Sequence, residues 1–316
     1  IVKINAALAK RGTTKHAPTI ITNSAQRIER NLAVIATAVK KDPVLAQAIV
    51  GIHLEGPYIS AEEGPRGVHD PQYARDPSIA ELDRFITASE GLLKLITLAP
   101  ERNGAIEFIR AATKRGITVS IGHSAATAER LAEAVQAGAR LSTHLGNGSH
   151  AVLPRLRNYL WEQLADDRLW ASIIADSFHL PDSVLKTMRR TKGLERLVLV
   201  SDVAYLGGHP SGIYRWGDIA VEVFPDGHLG MPSTTFLAGA GHLLDWDIPH
   251  FARSTAVGIV DAVRLATVQP ARLLALAYSR DAFAVGEPAG LVQFIHHPQS
   301  GPLEIVAVEQ PGRVLP

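Results

Sequence analysis

The chain has no cysteine in its 316 residues. Without thiols there is no disulfide framework and no thiolate metal site, so any metal must be held by nitrogen and oxygen. The same absence sets the expectation of a cytoplasmic protein. Long apolar runs are missing too: none reaches the roughly 18 residues needed to span a bilayer. No signal peptide is visible. Charge of one sign is also lacking, since 32 Lys and Arg stand against 31 Asp and Glu. A polyanion calls for a clustered basic footprint, so nucleic acid is not expected as a partner, and neither is a membrane.

What the chain does have is apolar residues, 46% of the total, enough for a sizeable core. They recur as short runs rich in Val, Ile and Leu: "APTIITNS" (17–24), "AIVGIHLE" (48–55), "LLKLITLAPE" (92–101), "GITVSIGHS" (116–124), "ARLSTH" (139–144), "LWASIIADSFH" (169–179) and "RLVLVSD" (196–202). Helical segments such as "GAIEFIRAATKRG" and "TAERLAEAVQAG" lie between them and end in Gly, a common helix C-cap. Near-continuous apolar strands alternating with helices predict a parallel sheet covered on both faces. Seven such strands fall one short of a (β/α)8 barrel. The chain opens on "IVKINAALAKRG", which reads as a helix. The expectation is therefore a TIM-like barrel over 1–285 whose first strand lies before Ile1. An open doubly wound sheet of seven strands is the rival.

After Asp202 the pattern changes. "YRWGDIAVEVFPDGHLGM" alternates around Pro-Asp-Gly and predicts a β-hairpin inserted at about 213–232. "GIVDAVRLATVQPARLLAL" reads as helical. The runs "AGLVQFIHH" and "LEIVAVEQPG" predict strands within 286–316, a remnant of a small β-sandwich whose other strands would precede Ile1.

Nearly every strand ends in a residue capable of chemistry: Glu55, His123, His144, Asp176 with His179 just beyond, and Asp202. In a barrel the C-terminal strand ends converge on one face, where active sites lie. His53, two residues before Glu55, shares its side of the strand one layer deeper and reads as structural. Burying a carboxylate and two imidazoles without compensation costs several kcal/mol. A divalent cation removes that cost, and zinc prefers this donor set. Three protein ligands leave a position for water, the arrangement of a catalytic site. Asp202 can then take a proton from that water.

With these residues in place, the chain resembles the N-acetylglucosamine-6-phosphate deacetylase family of metal-dependent amidohydrolases. The similar segments are "GIHLEGPYIS", "GVHDP", "TLAPE", "SIGHSAAT", "STHLGNGSH", "IIADSFH" and "LVSD", in the family's order, from about residue 17 to 300. The resemblance implies metal ligands at Glu55, His123 and His144 and a catalytic acid/base at Asp202. It implies substrate contacts at His69, Asn147, Gly148, His179, Leu237 and Ala238. An Arg eight residues after the Asn would contact the sugar phosphate, and here that is Arg155. The implied reaction is hydrolysis of the acetamide of N-acetylglucosamine 6-phosphate or a close amino sugar phosphate, with one zinc ion, a second ion undetermined, and a homodimer. The chain departs from the family at "HLGNGSHAVLP", at "LPRLRNYLW" in place of "GREPG", at Ser177 and at "LVSDV". Arg155 keeps the spacing without the context, and Arg157 could substitute. The family's first strand can carry a His-x-His pair, which these residues do not include. Another N-acyl or cyclic amide substrate, and a non-catalytic sugar-phosphate binding protein, are the alternatives.

Overall fold

The structure is a computed structural model that describes residues 1–216, 219–234, 236–276, 290–310 and 313–315, with 310 and 313–315 described by backbone alone. Seven short parallel strands form the main sheet: β1 (Thr19–Ile21), β2 (Ile52–Glu55), β3 (Leu93–Leu98), β4 (Thr118–Ile121), β5 (Leu141–Ser142), β6 (Trp170–Ile173) and β7 (Leu197–Leu199). Each pairs in parallel with the next, so their order in space is their order in sequence. Helices on the outside connect them, the right-handed βαβ arrangement expected of a barrel wall. The sheet curls into a seven-stranded portion of a (β/α)8 barrel. Among the described residues β1 and β7 do not pair with each other.

Local chemistry sets the helix starts. Ser24 accepts the Arg27 N–H ahead of the helix Ala25–Lys41. Asp42 accepts from Val44 and Leu45 ahead of Pro43–Ala48, and Thr127 accepts from Arg130 ahead of Ala128–Ala137. Each uses backbone N–H groups that a helix start otherwise leaves unpaired. The expected opening helix spans Val2–Lys10. The apolar faces of these helices meet the outer faces of the strands in two core clusters. One gathers Ile28, Leu32, Leu54, Phe85 and Phe108 around the first strands. The other gathers Ile173, Leu185, Leu197, Leu199, Phe251 and Leu265 around the last two. The stretch after 258, expected to be helical, forms two helices, Ile259–Ala266 and Val268–Leu273. They break at Thr267, two residues ahead of the Gln269–Pro270 pair, where φ is −130° and ψ is −75°.

Two antiparallel sheets flank the barrel. The insertion expected as a hairpin has three strands, β8 (Gly212–Trp216), β9 (Ile219–Val223) and β10 (Leu229–Gly230), in the order β10-β9-β8. The Pro225–Asp226–Gly227 turn joins β9 to β10, so the third strand was hidden in "HLG" because two residues are too few to display alternation. The tail contributes β11 (Leu291–Ile295), β12 (Glu304–Gln310) and β13 (Arg313–Leu315). Leu303 is buried with the second core cluster, and Phe294 and Ile305 pack against it. The expected boundary at 285–286 lies outside the described residues. No helix among the described residues is long and apolar enough to cross a membrane.

Candidate active site

Strand β2 is buried at all four positions, Ile52, His53, Leu54 and Glu55. Ile52 and Leu54 belong to the outer core, and by the period-two alternation of a strand His53 and Glu55 point to the other side, the barrel interior. His53 bonds the Thr19 hydroxyl through Nδ1, at 3.1 Å, and the Thr97 hydroxyl through Nε2, at 2.8 Å. The chain continues from Thr97 to Thr143, to Ser120 and to the Leu141 carbonyl. A carbonyl only accepts, so every proton in the chain is assigned by working back from it. Ser120 donates to Leu141, Thr143 to Ser120 and Thr97 to Thr143. His53 then donates from Nε2 and accepts from Thr19 at Nδ1. Burial, together with the charges of His144 and His123, lowers the His53 pKa to about 4 against the pull of Glu55, in keeping with this neutral form. His53 is the keystone of a polar floor beneath the site.

Above that floor, Glu55 meets three imidazoles. The His144 Nε2 atom lies 3.1 Å from Glu55 Oε1 and 3.1 Å from His123 Nε2. His123 Nε2 is 3.4 Å from Glu55 Oε1. His69 Nε2 stands on the other side, 3.3 Å from His123 Nε2 and 3.6 Å from Glu55 Oε2. Glu55, His69, His123 and His144 are all buried. The His123 Nδ1 atom faces the Pro65 carbonyl at 2.9 Å, which can only accept, so His123 carries its proton there and presents an Nε2 lone pair inward. Three imidazole nitrogens gathered about one carboxylate have no mutual hydrogen bonds that satisfy them all.

A divalent cation fits this set. Ligand atoms held tetrahedrally at about 2.0–2.1 Å lie roughly 3.3 Å apart, close to the separations among Glu55, His123 and His144. Glu55, His69 and His123 also qualify, with ligand atoms within 4.8 Å of one another. His69 is thus part of the metal-capable cluster, although its sequence motif pointed to substrate. Burial would raise the Glu55 pKa, but the charge and hydrogen bond of His123, with those of His144, hold it well below the carboxylate range. Burial would lower His144, but the hydrogen bond and charge of Glu55, aided by Asp202, raise it to about 9. The carboxylate therefore draws positive charge to this point. Burial and the neighbouring His123 lower His69 to about 3.

Asp202 follows β7. The residue is exposed to solvent. The protein atoms crowded around its carboxyl and then the Glu55 charge push its pKa up to about 6, against the pull of His144, His179 and His123. His123, His144 and Asp202 have φ of 51°, 29° and 49°. These are left-handed conformations that non-glycine residues rarely adopt and that concentrate at functional sites. The chain turns sharply at each strand end and aims the side chain inward.

Gly148, at φ +56°, lies on the His123 ring, and a Cβ there would come within 2.7 Å of His123 Nδ1. Asn147 bonds back to the His144 carbonyl through both its backbone N–H and its side chain. The two residues form the cover of the cluster. His179 is tied to Asp176 and is felt electrostatically at Asp202. Leu237 bridges Gly230, and the Ala238 N–H donates to Leu229. Ala240 bridges Val203, so this segment runs beside the residue after Asp202. Arg155 and Arg157 are exposed in the loop before the helix Tyr159–Ala165, and no contact of the Arg155 side chain ties it to the cluster. Two supports lie inside the quoted motifs, at Glu101 in "TLAPE" and His150 in "STHLGNGSH", but have partners that the motifs do not show. Glu101 accepts from Ser124 and Ala125, fixing the loop after His123. His150 joins Glu62 to Tyr159, pinning the loop of Asn147 to the loop that leads to His69. Both depend on contacts between segments far apart in sequence.

No family model matches the chain. It is 32% identical over 266 residues to N-acetylgalactosamine-6-phosphate deacetylase of Escherichia coli O157:H7, covering 84% of this chain and 69% of that one. It is 33% identical over 294 residues to N-acetylglucosamine-6-phosphate deacetylase of Bos taurus, covering 89% and 69%. The structure of a mutant N-acetyl-D-glucosamine-6-phosphate deacetylase of Mycobacterium smegmatis, in complex with N-acetyl-D-glucosamine-6-phosphate, superposes with a TM-score of 0.86 at 29% identity, over 98% of this chain and 78% of that one. The buried carboxylate and imidazoles at the strand ends, the seven-stranded barrel wall and these similarities over most of the chain agree: the chain belongs to the N-acetylglucosamine-6-phosphate deacetylase family.

Proposed function

We propose that this protein hydrolyses the acetamide of an N-acetylated hexosamine 6-phosphate, releasing acetate and the amino sugar phosphate. The observation that carries this reading is the gathering of Glu55, His123 and His144 under Asp202 in a chain of this family. Glu55, His123 and His144 hold one divalent cation, zinc by the preference for imidazole and carboxylate donors, with His69 in reach. A cation held there would supply Lewis acidity toward the amide carbonyl and a water. Asp202 accepts the proton of the attacking water, and the C–N bond breaks as Asp202 returns that proton to the departing amine. His179 donates to the carbonyl oxygen as charge develops there. His69, Leu237 and Ala238 contact the sugar, and the Gly148 N–H, next to Asn147, with Arg155 receives the phosphate, for which a guanidinium offers paired donors.

The experiment is a turnover panel on the metal-loaded protein: N-acetylglucosamine and N-acetylgalactosamine, each with and without the 6-phosphate. Expected is release of acetate with preference for a phosphorylated sugar, and loss of most of that preference in Arg155→Ala. The panel includes both sugars because relatives named for each are similar to this chain. Turnover without phosphate preference would remove Arg155 from the site. No turnover on any member would overturn the reading.

A further inference from the structure

Strand β6 ends at Ile173, and the turn after it spends its polar groups locally. The Asp176 side chain is 2% exposed. Its Oδ1 accepts the backbone N–H groups of Phe178 and His179, both at 2.9 Å. Its Oδ2 lies 2.7 Å from His179 Nδ1. Ser177 between them has φ +74°, which folds the next two N–H groups back onto the carboxylate. Burial opposes ionisation of Asp176, but the hydrogen bond and charge of His179 with the two backbone donors keep it below the usual carboxylate range. An ionised carboxylate only accepts, so the proton of that bond belongs to His179 Nδ1.

The turn is also held from behind. Trp246 Nε1 donates to the Asp176 carbonyl at 3.1 Å. Phe178 stands third in a run of stacked rings, Phe224, His228, Phe178, His242 and Trp246. Successive centroids lie 4.1, 4.6, 5.5 and 4.3 Å apart, with interplanar angles of 7°, 23°, 14° and 13°. The stack spans from the β9–β10 turn to the start of the helix Leu244–Thr255, so Phe178 cannot swing without opening it. The imidazole of His179 is fixed in position by its neighbour and in tautomer by Asp176.

We infer that Asp176 is a positioning residue for the reaction, acting through His179 by holding the proton on Nδ1 so that Nε2 is the atom offered to the substrate. The inference rests on the deacetylase reading. With Nδ1 so engaged, Nε2 of a neutral His179 is a lone pair. It becomes a donor to the acetamide oxygen only in the imidazolium, whose counter-charge is the Asp176 carboxylate. The proton needed for that donation comes from solvent and stays on His179, so the atom balance of the hydrolysis is unchanged.

Asp176→Asn separates this role from a structural one. The amide oxygen still receives the Phe178 and His179 N–H groups, but the –NH2 group now donates to Nδ1 and forces the proton onto Nε2. The first readout is 15N NMR of histidine-labelled protein, with the His179 signals identified by their loss in His179→Gln. Wild type is expected to carry a proton on Nδ1, and Asp176→Asn to carry it on Nε2. The second readout is a double-mutant cycle on kcat/KM. Asp176→Asn leaves a neutral Nε2–H donor in place of the imidazolium, so it is expected to lower kcat/KM by about tenfold in the wild-type background, the difference between a charged and a neutral hydrogen bond, and by less than about twofold in the His179→Gln background. A wild-type His179 with bare Nδ1, or equal losses in both backgrounds, would overturn the inference. The wild-type spectrum decides the tautomer even where a variant folds poorly. Absence of turnover by wild type on every N-acetyl sugar would sink the deacetylase reading alone, and the spectrum would still test the tautomer.

Discussion

Asp202 combines a shifted pKa with solvent exposure, and both bear on its proposed role. Ionised, it accepts the proton of the attacking water; protonated, it cannot. Its pKa is raised to about 6 by the protein atoms around its carboxyl and by Glu55, and a cation beside Glu55 would cancel that charge and bring it down. The kcat/KM of wild type is therefore expected to fall on acidification, with a midpoint at or below about pH 6. Asp202→Asn should retain the metal by elemental analysis and lose turnover by on the order of 10²–10⁴-fold; a variant within tenfold of wild type would assign the proton to another group. Asp247 presents the opposite case. It is fully buried, and neither carboxyl oxygen has a hydrogen-bond partner among the described residues. Burial, then Asp176 and Asp245, push its pKa well above 3.8. The folded chain thus keeps a proton that the unfolded chain releases above about 3.8, so this residue's contribution to stability is present at low pH and is lost as pH rises. Asp247→Asn should raise Tm at pH 7 and flatten its decline from pH 5 to 8 in thermal melts. An unchanged or lower Tm at pH 7 would contradict this.

At the scale of elements, the strand ends explain why the site was legible and its geometry was not. Apolar runs ending in Glu55, His123, His144 and Asp202 are visible in one dimension, because a parallel strand buried on both faces has no other reason to end in an ionisable group. The left-handed φ of His123, His144 and Asp202 has no sequence signal, since these are not glycines. Packing of the following loop imposes it. Asp176 was legible as a strand-end residue, and Glu101 and His150 as members of "TLAPE" and "STHLGNGSH", but their partners are chosen by folding. Lys192 is a further example. It ends the helix Asp182–Lys192 and is 1% exposed, and its ammonium donates to the carbonyls of Gln163, Asp166 and Leu169 at 2.8, 2.7 and 2.9 Å. It thereby caps the end of the helix Tyr159–Ala165, where carbonyls are left without partners. Lys192→Met keeps the length and removes the ammonium from all three carbonyls, of which that of Asp166 keeps the Leu169 N–H. The expected loss is about 3 kcal/mol in denaturant unfolding; a loss below about 1 kcal/mol would mean that water replaces the ammonium.

For the whole molecule, the cluster at the strand ends ties together β2, β4 and β5, with His69 contributed by the loop after β2. A cation there binds the folded chain and has no equivalent site in the unfolded one, so it stabilises by mass action. Removing it with a chelator should lower Tm, by about 5 °C if the ion was present at 100 times its Kd. His123→Ala or His144→Ala should show metal content well below one per chain and little further loss with chelator. Full metal in both variants would remove these residues from the ligand set. The sequence by itself determined the strand–helix alternation, the outward apolar and inward polar faces of the strands and the identity of the strand-end residues, because these depend on periodicity and side-chain chemistry within a few residues. It also carried the family, through ordered motifs. Tertiary structure alone decided that His69 joins Glu55 and His123, that His53 closes a chain of hydroxyls, that Asp176 sets the proton of His179, and that the insertion has a third strand. Each of those is a meeting of side chains or backbones brought together across the barrel by the curl of the sheet and the packing of its loops, and no local pattern encodes which partner lies within about 3 Å.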